Sequence, residues 1–164
     1  MRRRLALLSI AVVIAGADRL SKDAIHGAAN GALPVDLLDT WVRLVHSENR
    51  GGLFGMLQGS APFLAALSVG VIALLLTMHE RERATNVTLL TISVGAFAGG
   101  AIGNLVDRVQ YGYVLDFIDI GVGDLRFWTF NIADTAITAG ILLILADAIL
   151  PARFVSSRRD GGRR

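Results

Sequence analysis

Two long uncharged runs organise the middle of the chain. Pro62 to Met78 (PFLAALSVGVIALLLTM) and Val87 to Val106 (VTLLTISVGAFAGGAIGNLV) carry no charged side chain. At about 1.5 Å per residue, a helix over either run comes close to crossing a ~30 Å hydrocarbon core. The short charged segment His79 to Asn86 joins them as an antiparallel hairpin of membrane helices. The flanking runs are less uniform. Leu5 to Ala17 is apolar but short, and spanning requires continuation through Asp18, Arg19, Lys22 and Asp23 to about Ile25. Pairing one helical turn apart, Asp18 with Lys22 and Arg19 with Asp23, makes that extension tolerable. Ile132 to Leu150 is apolar apart from Asp134 and Asp147. The pattern predicts an all-α membrane protein with a small β element, forming one integral membrane domain over 1–164. Its four transmembrane helices lie at about 5–25, 60–79, 87–106 and 132–150, and 151–164 is a cytoplasmic basic tail.

Short runs of strand formers fall between the spans. Trp41 to His46 (WVRLVH) reads as a strand ended by the turn NRGG at Asn49 to Gly52, and Val114 to Ile120 (VLDFIDI) reads as a second. In the latter, alternation puts Asp116 and Ile118 on one face and Phe117 and Asp119 on the other. A small outer sheet resting on the bundle follows. There is no internal repeat, and only the SSRRDGGRR tail is of low complexity.

Charge supplies the orientation. Four spans put both termini on one side, together with Arg2, Arg3 and Arg4, Arg81 and Arg83, and the five arginines after Leu150, ten of the sixteen Lys and Arg. The positive-inside tendency makes that side cytoplasmic. The outer segments hold Asp18, Asp23, Asp36, Asp39, Glu48, Asp107, Asp116, Asp119, Asp124 and Asp134 against six bases, with both tryptophans and both tyrosines. Aromatic side chains of that kind settle at a headgroup boundary. A competing reading takes Met1 to Ala17 as a cleaved signal peptide, since RRR, an apolar stretch and AGA match its three regions. Retention agrees better with the four-span count.

Composition narrows the chemistry. Hydrophobic residues make up 53% of the 164 and mean hydropathy is +0.55, well above a soluble domain. A net charge of +2 leaves no broad basic field for nucleic acid. With no cysteine, disulfides, thiolate metal sites and cysteine nucleophiles are excluded. His26, His46 and His79 are scattered and lack the HExxH spacing of a zinc protease, so neither metal nor cofactor is expected.

Candidate chemistry gathers on the outer side. Gly95, Gly99 and Gly103 form a stripe into which another helix can pack, and Asn104, Asp107 and Arg108 follow at its mouth. Asp116 (GYVLDF) and Asp134 (FNIAD) each border the membrane among apolar neighbours, where a carboxylate is costly unless paired, hydrogen-bonded or protonated. Two such groups sharing one proton can activate water and protonate a carbonyl, which hydrolyses a peptide without metal or thiol. Taken singly, Asp134 also fits a helix-cap or first-turn acid and Asp116 a solvated strand residue. Asn131 either orients Asp134 or is itself the cap. GVGD at Gly121 to Asp124 matches the GxGD string of another intramembrane protease group, but it lies in a polar loop and reads as a turn.

The segments DRLSK (Asp18 to Lys22), NRGGLFG (Asn49 to Gly55), GGAIGNLVDR (Gly99 to Arg108), GYVLDFID (Gly112 to Asp119) and FNIAD (Phe130 to Asp134) resemble, in order and spacing, the blocks of the lipoprotein signal peptidase family, also called signal peptidase II. The resemblance implies four helices with cytoplasmic termini, an extracytoplasmic sheet cradle, and an aspartyl endopeptidase whose catalytic pair falls on Asp116 and Asp134. It implies supporting roles for Asp18, Lys22, Asn49, Gly103, Asn104, Asp107, Arg108 and Asn131. The implied substrates are diacylglyceryl-modified prolipoproteins, cut before the lipidated cysteine, and the implied inhibitor is globomycin. The location is the bacterial inner membrane, and a monomer is expected. Members commonly carry two alanines after NxG where Gly52 and Leu53 stand here, and Leu53 bears on the shape of the lipid or peptide contact. Two other readings remain: a small transporter binding ions at Asp116 and Asp134, and a lipoprotein assembly factor that binds precursors in the same groove without cutting.

Overall fold

The computed structural model describes residues 1–28, 31–38, 40–51, 60–82 and 86–149. The tail 151–164, Arg83, Asp39 and the Gly52–Leu53 departure lie outside the described residues. Four helices, α1 (Arg2–Ala28), α2 (Ala61–Arg81), α3 (Leu89–Tyr111) and α4 (Ile132–Ile149), enclose two insertions of strand. The strands are β1 (Val35–Leu37), β2 (Val42–Asn49), β3 (Val114–Val122) and β4 (Leu125–Arg126). They form one antiparallel sheet in the order β1-β2-β3-β4. By length and composition α2, α3 and α4 are apolar enough to cross a membrane. The chain is a mostly helical membrane protein with a small sheet at one end.

Local chemistry sets the helix ends. Pro62 stands in the first turn of α2, where its missing N–H would be unpaired anyway. Thr88 caps α3 through a reciprocal capping box with Thr91. Gly112, at φ +75°, closes α3 by donating its N–H to Arg108 O at 3.1 Å, a left-handed conformation that favours glycine. At the opposite end of the bundle Arg3 pairs with Glu82 at 2.7 Å, and Thr88 Oγ1 donates to the same carboxylate at 3.0 Å.

α3 is the central helix, and its glycines explain why. A Cβ on Gly95 would meet Ile10, one on Gly99 would lie 2.7 Å from Ala11 O, and one on Gly103 would lie 2.5 Å from Asp18 Oδ2. The stripe therefore receives α1, as its spacing predicts. On the other side of the interface with α4, a Cβ on Gly140 would come within 2.9 Å of Ser93 O. By contrast, α2 shows apolar faces such as Phe63, Leu67 and Val69 to the surroundings, as lipid contact requires.

A compact apolar cluster fastens the sheet to the bundle. Ile25 from α1 packs with Leu115 and Phe117 from β3, joined by Leu33, Leu44, Ile118 and Ile132. An ionic clip stiffens the sheet's outer part: Arg43 on β2 and Arg126 on β4 hold Asp119 of β3 at 2.7 and 3.0 Å. Burial works to push the Asp119 carboxyl up, but the bonds and charges of Arg126 and Arg43 outweigh it and hold it below the usual range. The predicted strands are present. β1 and β4, three and two residues long, are additions that carry no alternation to read.

Candidate active site

α1, α3, β2, β3 and the start of α4 converge on one polar network. Lys22 is fully buried, forms ion pairs with Asp18 Oδ2 at 2.7 Å and Asp107 Oδ2 at 2.8 Å, and donates to Asn104 Oδ1 at 3.0 Å. The two acids also hold backbone. Asp18 Oδ1 accepts Ala133 N at 2.9 Å, tying α1 to the first turn of α4. Asp107 Oδ2 accepts Leu115 N at 3.1 Å, tying α3 to the start of β3. The predicted Arg19–Asp23 pair also forms, on the exposed side of α1.

From this base the network reaches the two candidate carboxylates. Asn104 Oδ1 receives both Lys22 and Asn131 Nδ2, so its amide nitrogen must point the other way, and it donates to Asp134 Oδ1 at 2.7 Å. Asn131 is likewise oriented by its surroundings. Its Oδ1 caps α4 by accepting Asp134 N at 2.8 Å, which leaves Nδ2 to donate to Asp116 Oδ1 at 2.7 Å. Asp134 Oδ2 accepts Asn131 N at 3.3 Å, completing a reciprocal cap. Both sequence readings of Asn131 therefore hold: it is the cap, and the cap orients the acid. On the sheet side Asn49 Nδ2 donates to Asp116 Oδ2 at 2.9 Å, while Asn49 Oδ1 accepts Gly51 N.

Asp116 and Asp134 open onto one cleft of about 880 Å³. Its walls are Ser47, Glu48 and Asn49 of β2, the segment Phe127 to Phe130, and the α4 face formed by Thr135, Ile137, Thr138, Ile141 and Leu142. Burial first, then the neighbouring charge of Asp134, push the Asp116 carboxyl up to about 7, against the hydrogen bonds from Asn49 and Asn131. The lining is mostly apolar, with the two acids set among hydrophobic and aromatic side chains. Arg108 stands beside this site. Its Nη1 donates to Asn104 O at 3.4 Å, it is within electrostatic reach of Asp134 and Asp116, and it lines a separate hollow of about 510 Å³ with Arg50, Ala61 and Pro62.

Gly103 belongs to the site by what it lacks. A methyl group there would press on Asp18 Oδ2, which Lys22 and α4 prevent from swinging aside. We expect Gly103→Ala to cost about 1–3 kcal/mol, read as a lower unfolding midpoint in detergent; a midpoint equal to the parent's would refute this close packing.

All ten residues singled out from the sequence join this neighbourhood. The cleft's aromatic wall was not anticipated: Phe127 and Phe130 pack edge to face, and of the FWTF run that supplies them only Trp128 was read as a headgroup-boundary aromatic. GVGD forms the hairpin turn between β3 and β4, with Gly123 at φ +55°, and does not line the cleft. His79 is buried against Thr91 at 3.2 Å. His26 and His46, far apart in sequence, meet.

Fold and site define a helical membrane protein with a carboxylate-bearing cleft beneath a small sheet. The family model for signal peptidase II matches residues 10–150. A lipoprotein signal peptidase of Burkholderia ambifaria is 36% identical over 158 residues, 89% of each chain. One of Escherichia coli is 40% identical over 116 residues, 68% of this chain and 70% of that one. Two solved chains, each described as a bacterial membrane enzyme structure obtained by the in meso method, share the fold. One has a TM-score of 0.79 at 24% identity over 96% of this chain and 94% of its own; the other has 0.77 at 26% identity over 88% and 93%. The chain belongs to the signal peptidase II family of aspartic peptidases and is a multi-pass bacterial membrane enzyme.

Proposed function

We propose that Asp116 and Asp134 are the catalytic pair of a lipoprotein signal peptidase that cuts diacylglyceryl-modified prolipoproteins before the lipidated cysteine. The observation carrying this reading is that both carboxylates face one cleft while Asn131 holds them together, bonding Asp116 through its side chain and Asp134 through the helix cap. Asp116, the more buried, keeps the shared proton and donates it to the scissile carbonyl oxygen. Asp134 takes a proton from the attacking water. The tetrahedral diol then collapses as the proton on Asp134 passes to the departing amide nitrogen and a diol hydroxyl returns its proton to Asp116. Asn49, Asn104 and Asn131 orient the acids, and Arg108 steadies the substrate backbone. Lys22, Asp18, Asp107 and Gly103 supply the rigid floor. The reaction so written needs no metal or cofactor.

Topology follows the same reading. α1 crosses the membrane with α2, α3 and α4, its charged outer third neutralised in the network around Lys22. Its unbroken course through Ala17 and its packing into the glycine stripe support retention of Met1 to Ala17 in one integral domain. The termini and tail 151–164 are cytoplasmic, and the sheet forms a cradle on the outer face of the inner membrane. The signal helix enters sideways from lipid along the apolar α4 face while the acyl chains stay in the bilayer. The enzyme acts as a monomer and is blocked by globomycin.

The test is cleavage of a lipidated precursor peptide by purified protein in detergent, with and without globomycin. We expect globomycin-sensitive release of the signal peptide. No cleavage, or cleavage indifferent to both lipidation and globomycin, would refute the assignment. The same assay carries a pH prediction. Because the reaction needs protonated Asp116, turnover falls as pH rises through about 7, by about tenfold per unit on the alkaline limb. A rate that is flat or rising from pH 7 to 9 would contradict the acid role.

A further inference from the structure

His26 and His46 take no part in the network around the two acids. The register between β2 and β3 breaks between Leu44 and Ser47, so that Val45 and His46 together oppose the single residue Phe117. A bulge of this kind re-aims a strand side chain. Here it brings His46 Nε2 to 3.3 Å from Nδ1 of His26 in the last turn of α1. The ring centres are 5.1 Å apart and the planes 64° apart. Two imidazole nitrogens bound to one tetrahedral ion at about 2.0–2.1 Å lie about 3.3 Å from each other, with ring centres about 5.2 Å apart. A straight N–H···N bond of the same length would hold the centres at about 5.6 Å. The observed separation matches the two-ligand geometry, and in the absence of an ion the same contact serves as a hydrogen bond between the rings.

We propose that His26 and His46 form a two-histidine site for a borderline divalent transition-metal ion of the Zn²⁺, Co²⁺ or Ni²⁺ class, and that its occupancy inhibits turnover. The surroundings are compatible with a cation. Glu48, next but one along β2, is within electrostatic reach of His46, and the ring of Tyr111 lies 5.4 Å from that of His26. The nearby cation, Arg19, is engaged by Asp23, Gln110 and Tyr111. Among the described residues no third His, Cys, Asp or Glu completes the set, so water fills the remaining positions, as at an open zinc site. His26 Nε2 is buried without a hydrogen-bond partner among the described residues. Lacking such an outer acceptor costs metal affinity about 10–100-fold, so the site binds more weakly than one with a complete outer shell.

The route to inhibition is short. His46 precedes Ser47, the register partner of Asp116, and lies three residues before Asn49, which bonds Asp116 directly. An ion pinning β2 to α1 would restrain the strand whose Ser47, Glu48 and Asn49 wall the cleft.

The site is tested by titrating untagged full-length protein in detergent with Co²⁺, following its visible absorption and its displacement by Zn²⁺. Cleavage of a lipidated precursor is measured in parallel. We expect one Co²⁺ per chain, at least about tenfold weaker binding in His26→Gln and in His46→Gln, and Zn²⁺ inhibition that His46→Gln escapes while keeping its metal-free rate. Absence of binding at millimolar Co²⁺, or equal binding by parent and both variants, would overturn the site. Binding without any effect on turnover would overturn the inhibitory role. That second arm rests on the peptidase reading, whereas the Co²⁺ spectrum does not, so failure of one is distinguishable from failure of the other.

Discussion

Asp116→Asn and Asp134→Asn should each lower turnover of a lipidated precursor by at least about 10²–10⁴-fold, the range that a positioned acid or base contributes, while the protein stays folded and inserted. The substitutions are close to isosteric, and the packing around each acid is made by groups that remain. Asp116 is held by Asn49 and Asn131 and sits on β3 above the Ile25–Leu115–Phe117 cluster. Asp134 is held by Asn104 and by the backbone of its own cap. An amide at either position still accepts one of the two hydrogen bonds; at 116 it replaces an acid already held neutral and at 134 it removes the pair's charge, so the protein stays folded. What is lost is the ability to pass one proton between two carboxyl groups. Removing either partner disables both roles, so the double variant should be hardly slower than the singles. Near-normal turnover by either single variant would break the assignment, and so would a double variant whose losses simply multiply.

How much of this was readable in advance depends on what each stretch of chain must satisfy. Lipid tolerates few charges, so the uncharged runs that became α2 and α3 announced themselves, although α3 continues five residues beyond Val106 to Tyr111 because its outer turn lies in a polar setting. The pairing of Asp18 with Lys22 was legible from helical spacing. Their link to Asp107 and Asn104, more than eighty positions away, was not, because helix packing decides it. Asp134 shows why single residues mislead: it is a helix-cap acid, as the plain reading holds, and its carboxylate also faces the cleft. The cleft was hidden for a different reason. α4 is apolar nearly all round, so the side that lines the cleft and the side that meets lipid carry the same kinds of residue. The His26–His46 contact depends on a bulge, and no alternation pattern marks the extra residue.

The rigid floor makes the other large prediction. Lys22→Met keeps the volume of the side chain but leaves Asp18 and Asp107 buried without their shared cation. Breaking a buried ion pair from one side costs about 3–5 kcal/mol, a large share of the about 5–15 kcal/mol that holds a typical domain folded. The unfolding midpoint in detergent should fall sharply. The loss should also exceed what stability alone explains, because Lys22 is one of the two donors that orient the Asn104 amide toward Asp134. Any Lys22→Met protein that remains folded should therefore turn over slowly with little change in KM. The charge argument has its own control. Adding Asp18→Asn and Asp107→Asn removes both stranded charges, while each new amide oxygen can still accept Ala133 N or Leu115 N. The triple variant should recover a large part of the lost stability and little of the lost turnover. If Lys22→Met alone unfolded at the parent's midpoint, the buried cation would not be what holds α1, α3, β3 and α4 in register beneath the two acids.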